Sequence, residues 1–125
     1  MNRTVENPQI GNWYLVDGKP TLVTYENIAQ VHVTLCQPIP LTDGILRGNH
    51  FTSISGEEWQ YYDNTDLVVV NLNGVDRHGV VKRTRYISVH SRGADSSLIR
   101  YYDDITVDQL QDVLQAMAVN LKIEL

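Results

Sequence analysis

The chain is poor in the residues that staple or anchor a protein. It has a single cysteine, Cys36, so no internal disulfide can form and the disulfide framework of a small secreted scaffold is excluded. No apolar run approaches the roughly 20 residues that a membrane helix needs; the longest comparable stretch is Leu67 to Val70. Met1 to Pro8 holds no apolar segment of the signal-peptide type, so the expected location is the cytoplasm, with no membrane partner. Glycines are dispersed and build no phosphate-cradling loop. Excess basic charge is also lacking: the net charge of −5 argues against nonspecific nucleic-acid binding.

What is present describes an ordinary globular chain. A length of 125 residues gives room for one domain, 1–125, with one core. Such a chain buries roughly two-thirds of the surface its unfolded form exposes, so it folds without staples. The apolar fraction of 42% and charged fraction of 20% set it apart from disordered chains.

The pattern along the chain predicts an α+β fold. Asn12 to Val16 has the Trp, Tyr and Val content of a strand. Asp17-Gly18 follows, a pair that tolerates positive φ and closes hairpins, with Thr21 to Tyr25 as the return strand. Gln30 to Cys36 alternates apolar and polar residues and reads as a third strand. The N-terminal third is thus a small antiparallel sheet or half-barrel. Pro38-Ile39-Pro40 stops the strand. Thr42 then caps a helix, with Leu41 and Leu46 as its hydrophobic staple. Gly44 and Gly48 keep that helix short, and Asn49 ends it.

Strands are expected again at Trp59–Tyr62 and Leu67–Leu72, separated by the turn-forming Asp63-Asn64-Thr65-Asp66. Asn73-Gly74 marks another turn. Gly79 to His90 is a strand whose phase shifts at Val80-Val81, the signature of a bulge or an edge. Ser91 to Ser97 reads as a loop and Leu98 to Tyr102 as the last strand. The C-terminal helix is the best marked. Thr106 and Gln109 make a capping box, and Ile105 with Leu110 a staple. Val107, Leu110, Val113, Leu114, Met117 and Leu121 form one apolar stripe to lie on a sheet.

Three blocks resemble a known group of proteins. They are Ile10-Gly11-Asn12 leading to a Gly18-Lys19 turn; Gln37-Pro38-Ile39-Pro40-Leu41-Thr42 followed by Ile45-Leu46 and Phe51; and Ile99-Arg100-Tyr101 followed by Val107, Leu110-Gln111 and Ala116. Their order resembles that of small uncharacterised Bacteroidetes proteins often found in prophages and other mobile elements. An insertion separates Tyr101 from Val107. Asp108 stands where those proteins often have histidine, and Asp112 where they have asparagine. The resemblance implies a fold and a genomic setting, and no activity.

The residue types that carry chemistry do not converge in the sequence. His32, His50, His78 and His90 pair neither with one another nor with Cys36 at a metal-ligand spacing, so no metal and no cofactor is expected. Asp103-Asp104 and Glu57-Glu58 are adjacent acids. Glycoside chemistry needs two carboxyls facing one site, and neighbouring strand residues point apart. Asp103 and Asp104 read instead as acids serving the free amides of a helix start. Cys36 reads as a small buried hydrophobe. Ser88-Val89-His90-Ser91 lacks the strand-turn-helix elbow of a hydrolase. No catalytic residue is assigned.

Charge is the feature that stands out. From Arg77 to Arg100 six basic residues (Arg77, Lys82, Arg83, Arg85, Arg92, Arg100) face one acid, Asp95, leaving −10 for the rest of the chain. Arg77, Lys82, Arg83, Arg85 and Arg92 are the candidate contacts to a polyanion or a partner, with Tyr86 as a stacking ring. The opposing expectation is neutralisation within the molecule by Asp103, Asp104, Asp108, Asp112 and Glu124. A protein partner or a second copy is therefore expected first, ahead of nucleic acid. The leading functional expectation is a non-catalytic interaction protein, an accessory factor of a phage or mobile element. The alternatives are a nucleic-acid-binding accessory protein using residues 77–92 and an enzyme whose site is assembled from distant residues.

Overall fold

A computed structural model describes residues 5, 7–33, 36–53, 58–63, 65–72, 85–91 and 96–125, with the side chains of 32 and 33 left aside. It is an α+β fold with two antiparallel sheets and three helices. The first sheet has the order β2-β1-β3, from Trp13–Val16 (β1), Lys19–Leu22 (β2) and Cys36–Pro38 (β3). Among the described residues it is a three-stranded antiparallel sheet. The second has the order β4-β5-β6-β7-β8, from Thr52–Ser53 (β4), Glu58–Tyr62 (β5), Asp66–Asn71 (β6), Arg85–Ser91 (β7) and Ser96–Tyr102 (β8). The helices are Ile28–Val33 (α1), Asp43–Gly48 (α2) and Val107–Ala116 (α3).

Local chemistry explains most boundaries. Asp17 and Gly18 both take positive φ, 51° and 77°, which turns the chain in two residues and sets Val16 opposite Lys19. The Thr42 hydroxyl accepts from the Ile45 N–H at 3.2 Å, capping α2. Asn49 ends it, its side-chain amide donating to the Ile45 carbonyl at 2.8 Å. At the β5–β6 turn the Asp63 carboxylate accepts from the backbone N–H groups of Thr65 and Asp66 at 2.8 and 2.7 Å, a side chain imitating a turn. Gln109 Oε1 accepts from the Thr106 N–H at 2.9 Å, the reciprocal arm of the expected capping box.

Two expectations are corrected. The segment expected as a strand over Gln30–Cys36 is mostly helix: Ile28–Val33 is α1, and β3 starts only at Cys36. Asn27 Oδ1 accepts from the Thr24 N–H at 2.8 Å, and Ile28 and Val31 donate backbone bonds to Thr24 and Asn27. That turn starts a helix whose apolar residues lie three apart, Ile28 and Val31 both facing the small core. The second correction concerns the C-terminal stripe, which was expected to run to Leu121. The helix ends at Ala116, and Ala118 enters the left-handed region at φ 55°. Beyond it the chain is irregular, yet Val119 and Ile123 return to the core. The turn at Asn73-Gly74 and the bulge at Val80-Val81 lie outside the described residues.

There are two cores. The larger gathers Leu46 from α2, Trp59, Val68 and Val70 from β5 and β6, Ile87 and Val89 from β7, and Leu110 and Leu114 from α3. The smaller holds Tyr14, Val23, Val31 and Cys36. β1 is the wall between them. Its residues alternate with the strand period: Trp13 and Leu15 pack on the larger core, Tyr14 and Val16 on the smaller. Backbone bonds from Leu41 to Ile105 and from Val107 to Ile39 stitch the start of α3 to the chain after β3. The last residues are pinned from three sides. Trp13 Nε1 donates to the Ile123 carbonyl at 2.8 Å, Gln111 accepts from the Ile123 N–H at 3.2 Å, and the Asn49 side chain both donates to and accepts from the Glu124 backbone. Among the described residues no helix is long and apolar enough to cross a membrane.

Candidate interaction surface

The five-stranded sheet has two unequal faces. The register aligns Val68 with Val89 and Leu98, and Val70 with Ile87 and Arg100; this face carries the larger core. The other face aligns Tyr62, Leu67, His90 and Ser97 in one row, Gln60, Val69, Ser88 and Ile99 in the next, and Asn71, Tyr86 and Tyr101 in a third. Contacts within those rows agree with the register. The Tyr86 and Tyr101 rings meet edge-on with centroids 6.2 Å apart, and His90 Nδ1 lies 2.7 Å from the Ser97 hydroxyl.

This outer face leaves three large apolar groups in solvent. Ile99 is 46% exposed, Tyr62 51% and Tyr101 62%. Two of the three belong to β8, the last strand of its sheet, and among the described residues no strand lies beside its other edge. Scattered exposed apolar residues are normal. Two on one edge strand, next to an aromatic pair, combine apolar area with a strand edge.

The residues singled out by charge fare differently. Arg77, Lys82, Arg83 and Arg92 lie outside the described residues. Arg85 opens β7 and is half-buried. Its Nε donates to the Leu72 carbonyl at 2.6 Å and its Nη1 to the Asp103 carbonyl. The guanidinium thus clips the end of β6 and the exit from β8 to the start of β7. Asp103 and Asp104 are exposed; the Thr106 and Val107 amides donate to Gln109 Oε1 and to the Ile39 carbonyl.

Arg85 also lines a cleft of about 470 Å3 at the junction of the two sheets, with Leu15, Pro38, Leu72, Asp104 and Thr106. Two of its polar groups are engaged within the fold. The Thr106 hydroxyl donates to Asp108 Oδ1 at 2.5 Å, and Arg85 holds its two carbonyls. No nucleophile and base face each other across the cleft. Cys36 is buried in the smaller core, and burial, then the charge of Asp108, push its thiol pKa up, away from thiolate chemistry. Among the described residues no three His, Cys, Asp or Glu side chains cluster as metal ligands.

One polar cluster was not legible in the sequence. Asn12 is fully buried, and its Nδ2 donates to Asp112 Oδ1 at 2.8 Å across 100 residues of chain. The Tyr14 hydroxyl accepts from the Gln9 N–H at 3.1 Å and lies 3.5 Å from the same Asn12 nitrogen. Burial raises the pKa of Tyr14 and of Asp112; for Asp112 the Asn12 bond opposes it and the charge of Asp108 adds to it. Asn12 Oδ1 has no partner. The cluster joins β1 to α3 and offers nothing outward.

No protein-family model, no curated protein and no solved structure matches this chain.

Proposed function

We propose that the protein is a non-catalytic interaction protein that binds another protein through the outer face and free edge of β8. The observation that carries this reading is Ile99 and Tyr101 exposed on a seven-residue strand that ends its sheet among the described residues. Added strands draw affinity from backbone bonds and selectivity from alternate side chains, and β8 offers both. The resemblance to proteins of prophages and mobile elements supports an accessory role in such an element, acting in the cytoplasm.

The test replaces Tyr101 with a photo-crosslinking amino acid in cells that natively carry the protein. A defined protein adduct is expected; the purified partner then binds the wild type, and an Ile99→Ser, Tyr101→Ser variant of intact fold binds about tenfold more weakly or worse. Partner binding that ignores both substitutions, or the absence of any adduct, would sink the reading. Nucleic-acid fragments titrated at low and physiological salt provide the counter-experiment. Salt-sensitive binding lost in a Lys82→Ala, Arg83→Ala variant would move the function to a polyanion partner of the basic segment 77–92.

A further inference from the structure

Sheet edges in soluble proteins are guarded by shortness, proline or charge. Three of the four edges here follow that rule. β4 is two residues long, β2 carries Lys19 and Pro20, and β3 is three residues long and ends in Pro38. β8 does not. It runs for seven residues without proline or glycine, pairs with β7 at every position from Ser96 to Tyr102, and has one charge, Arg100. Ser96, Ser97, Ile99, Arg100 and Tyr101 are all exposed.

From this edge we infer that the partner is a second copy of the chain, its β8 added antiparallel to the first to make one continuous sheet across a two-fold axis. The inference rests on the interaction reading above and names its partner. The strand itself carries the argument. When two copies pair about an axis perpendicular to the sheet, residues facing each other must lie on the same face, so the axis passes through a residue. An axis at Arg100 sets two guanidinium groups directly opposite, which is repulsive. An axis at Tyr101 shortens the overlap and places Arg100 opposite Tyr102. An axis at Ile99 keeps all seven positions paired and separates the two Arg100 positions to a diagonal of about 7–8 Å.

That register is also complementary in size. Ile99 meets Ile99, Leu98 meets the aliphatic stem of Arg100, and the two serines, Ser97 and Ser96, meet the two tyrosines, Tyr101 and Tyr102. Serines face tyrosines at the two ends of the pairing, and the apolar Ile99 pair lies at its centre.

The test is sedimentation of the full chain over a concentration series, with the fold of each variant checked by circular dichroism. The wild type is expected to go from 14.2 kDa to twice that mass as concentration rises. Ile99→Lys places like charges on the axis and is expected to weaken self-association about tenfold or more. A second pair of variants reads the register without relying on a disruptive change. Ile99→Cys crosslinks to itself with a short bis-maleimide, whereas Ser97→Cys, whose counterpart lies opposite Tyr101, does not; Cys36, 1% exposed, stays silent in the wild type. A wild type that remains at 14.2 kDa overturns the inference, as does a dimer indifferent to Ile99→Lys or one that crosslinks at residue 97. A monomer that still gives a defined adduct with a different protein from residue 101 would overturn only the second-copy partner. A monomer with no adduct would overturn the interaction reading as well.

Discussion

The two sheets solve the same burial problem with different means. The five-stranded sheet rests on a broad apolar core closed by α2 and α3, where Leu46, Val68, Val70, Ile87 and Leu114 are all fully buried. The three-stranded sheet has only Tyr14, Val23, Val31 and Cys36 at its centre and adds a polar tie, Asn12 to Asp112, that anchors it to α3. Apolar burial yields roughly 25 cal/mol per Å2, so the larger layer carries most of the stability. The smaller layer relies on attachment: the hydrogen bonds of Asn12 and Trp13, and the backbone stitch beside Thr106. Unsatisfied polar groups cost about 1–3 kcal/mol each when buried, which makes those ties consequential where the apolar area is small.

Truncation of each core gives the largest contrast. Leu114→Ala is expected to cost about 2–5 kcal/mol, the range for a fully buried leucine whose cavity cannot collapse. Val31→Ala removes less area from a looser site and is expected to cost about 1–2 kcal/mol. Denaturant unfolding measures both, and equal losses would remove the distinction between the layers. Next comes the clip at the mouth of β7. Arg85→Ala leaves the Leu72 and Asp103 carbonyls without their charged donor and is expected to cost about 1.5–3 kcal/mol, with Arg85→Lys a poor rescue because an ammonium lacks the planar fork. A stability unchanged in Arg85→Ala would free this residue for the polyanion role.

The polar tie is tested by Asn12→Ala, expected to cost about 1–3 kcal/mol and to raise hydrogen exchange in β1 ahead of β6 and β7. Uniform exchange changes in both sheets would count against a locally attached layer. The smallest effects are in the pH response, where an acid in the β5–β6 turn and the acid of the polar tie pull in opposite directions. Backbone N–H groups of Thr65 and Asp66 hold Asp63 below the usual carboxylate range. Its stabilisation is therefore present above the unfolded value of about 3.9 and fades as pH falls through the lowered one. Burial holds Asp112 above that range. The folded chain then binds the extra proton, and the Asp112 contribution is greatest at acid pH and is lost as pH rises through the raised value. Melting temperatures from about pH 3 to 6 should show Asp63→Asn removing an acid-side loss and Asp112→Asn removing an acid-side gain. The same sign for both would overturn the assignment.

How much of this was legible depends on how local the cause is. The hairpin at Asp17-Gly18, the caps at Thr42 and Thr106 and the end of α2 at Asn49 each rest on a few adjacent residues, and each stands where the sequence places it. Gln30 to Cys36 reads as a strand because Val31, Val33 and Leu35 alternate. Yet Ile28 and Val31 also satisfy a helical spacing, and the Asn27 turn decided between them. The charge asymmetry drew the sequence reading to residues 77–92, of which the described part, Arg85, serves the backbone. The surface that matters most in the proposed function, β8, was legible as a strand from Leu98 to Tyr102 and as part of the Ile99-Arg100-Tyr101 block, but neither mark says that it ends a sheet.

The α+β class, the capped helices α2 and α3 and the polar turns were determined by the sequence alone, because nearest-neighbour sterics and hydrogen bonds act over a few residues. Tertiary structure decided that β1 would face two cores, that Asn12 would meet Asp112, and that the long β8 would end its sheet. Those outcomes join residues far apart in the chain. No local preference specifies which strand ends at a sheet's edge; only the packing of all the others does.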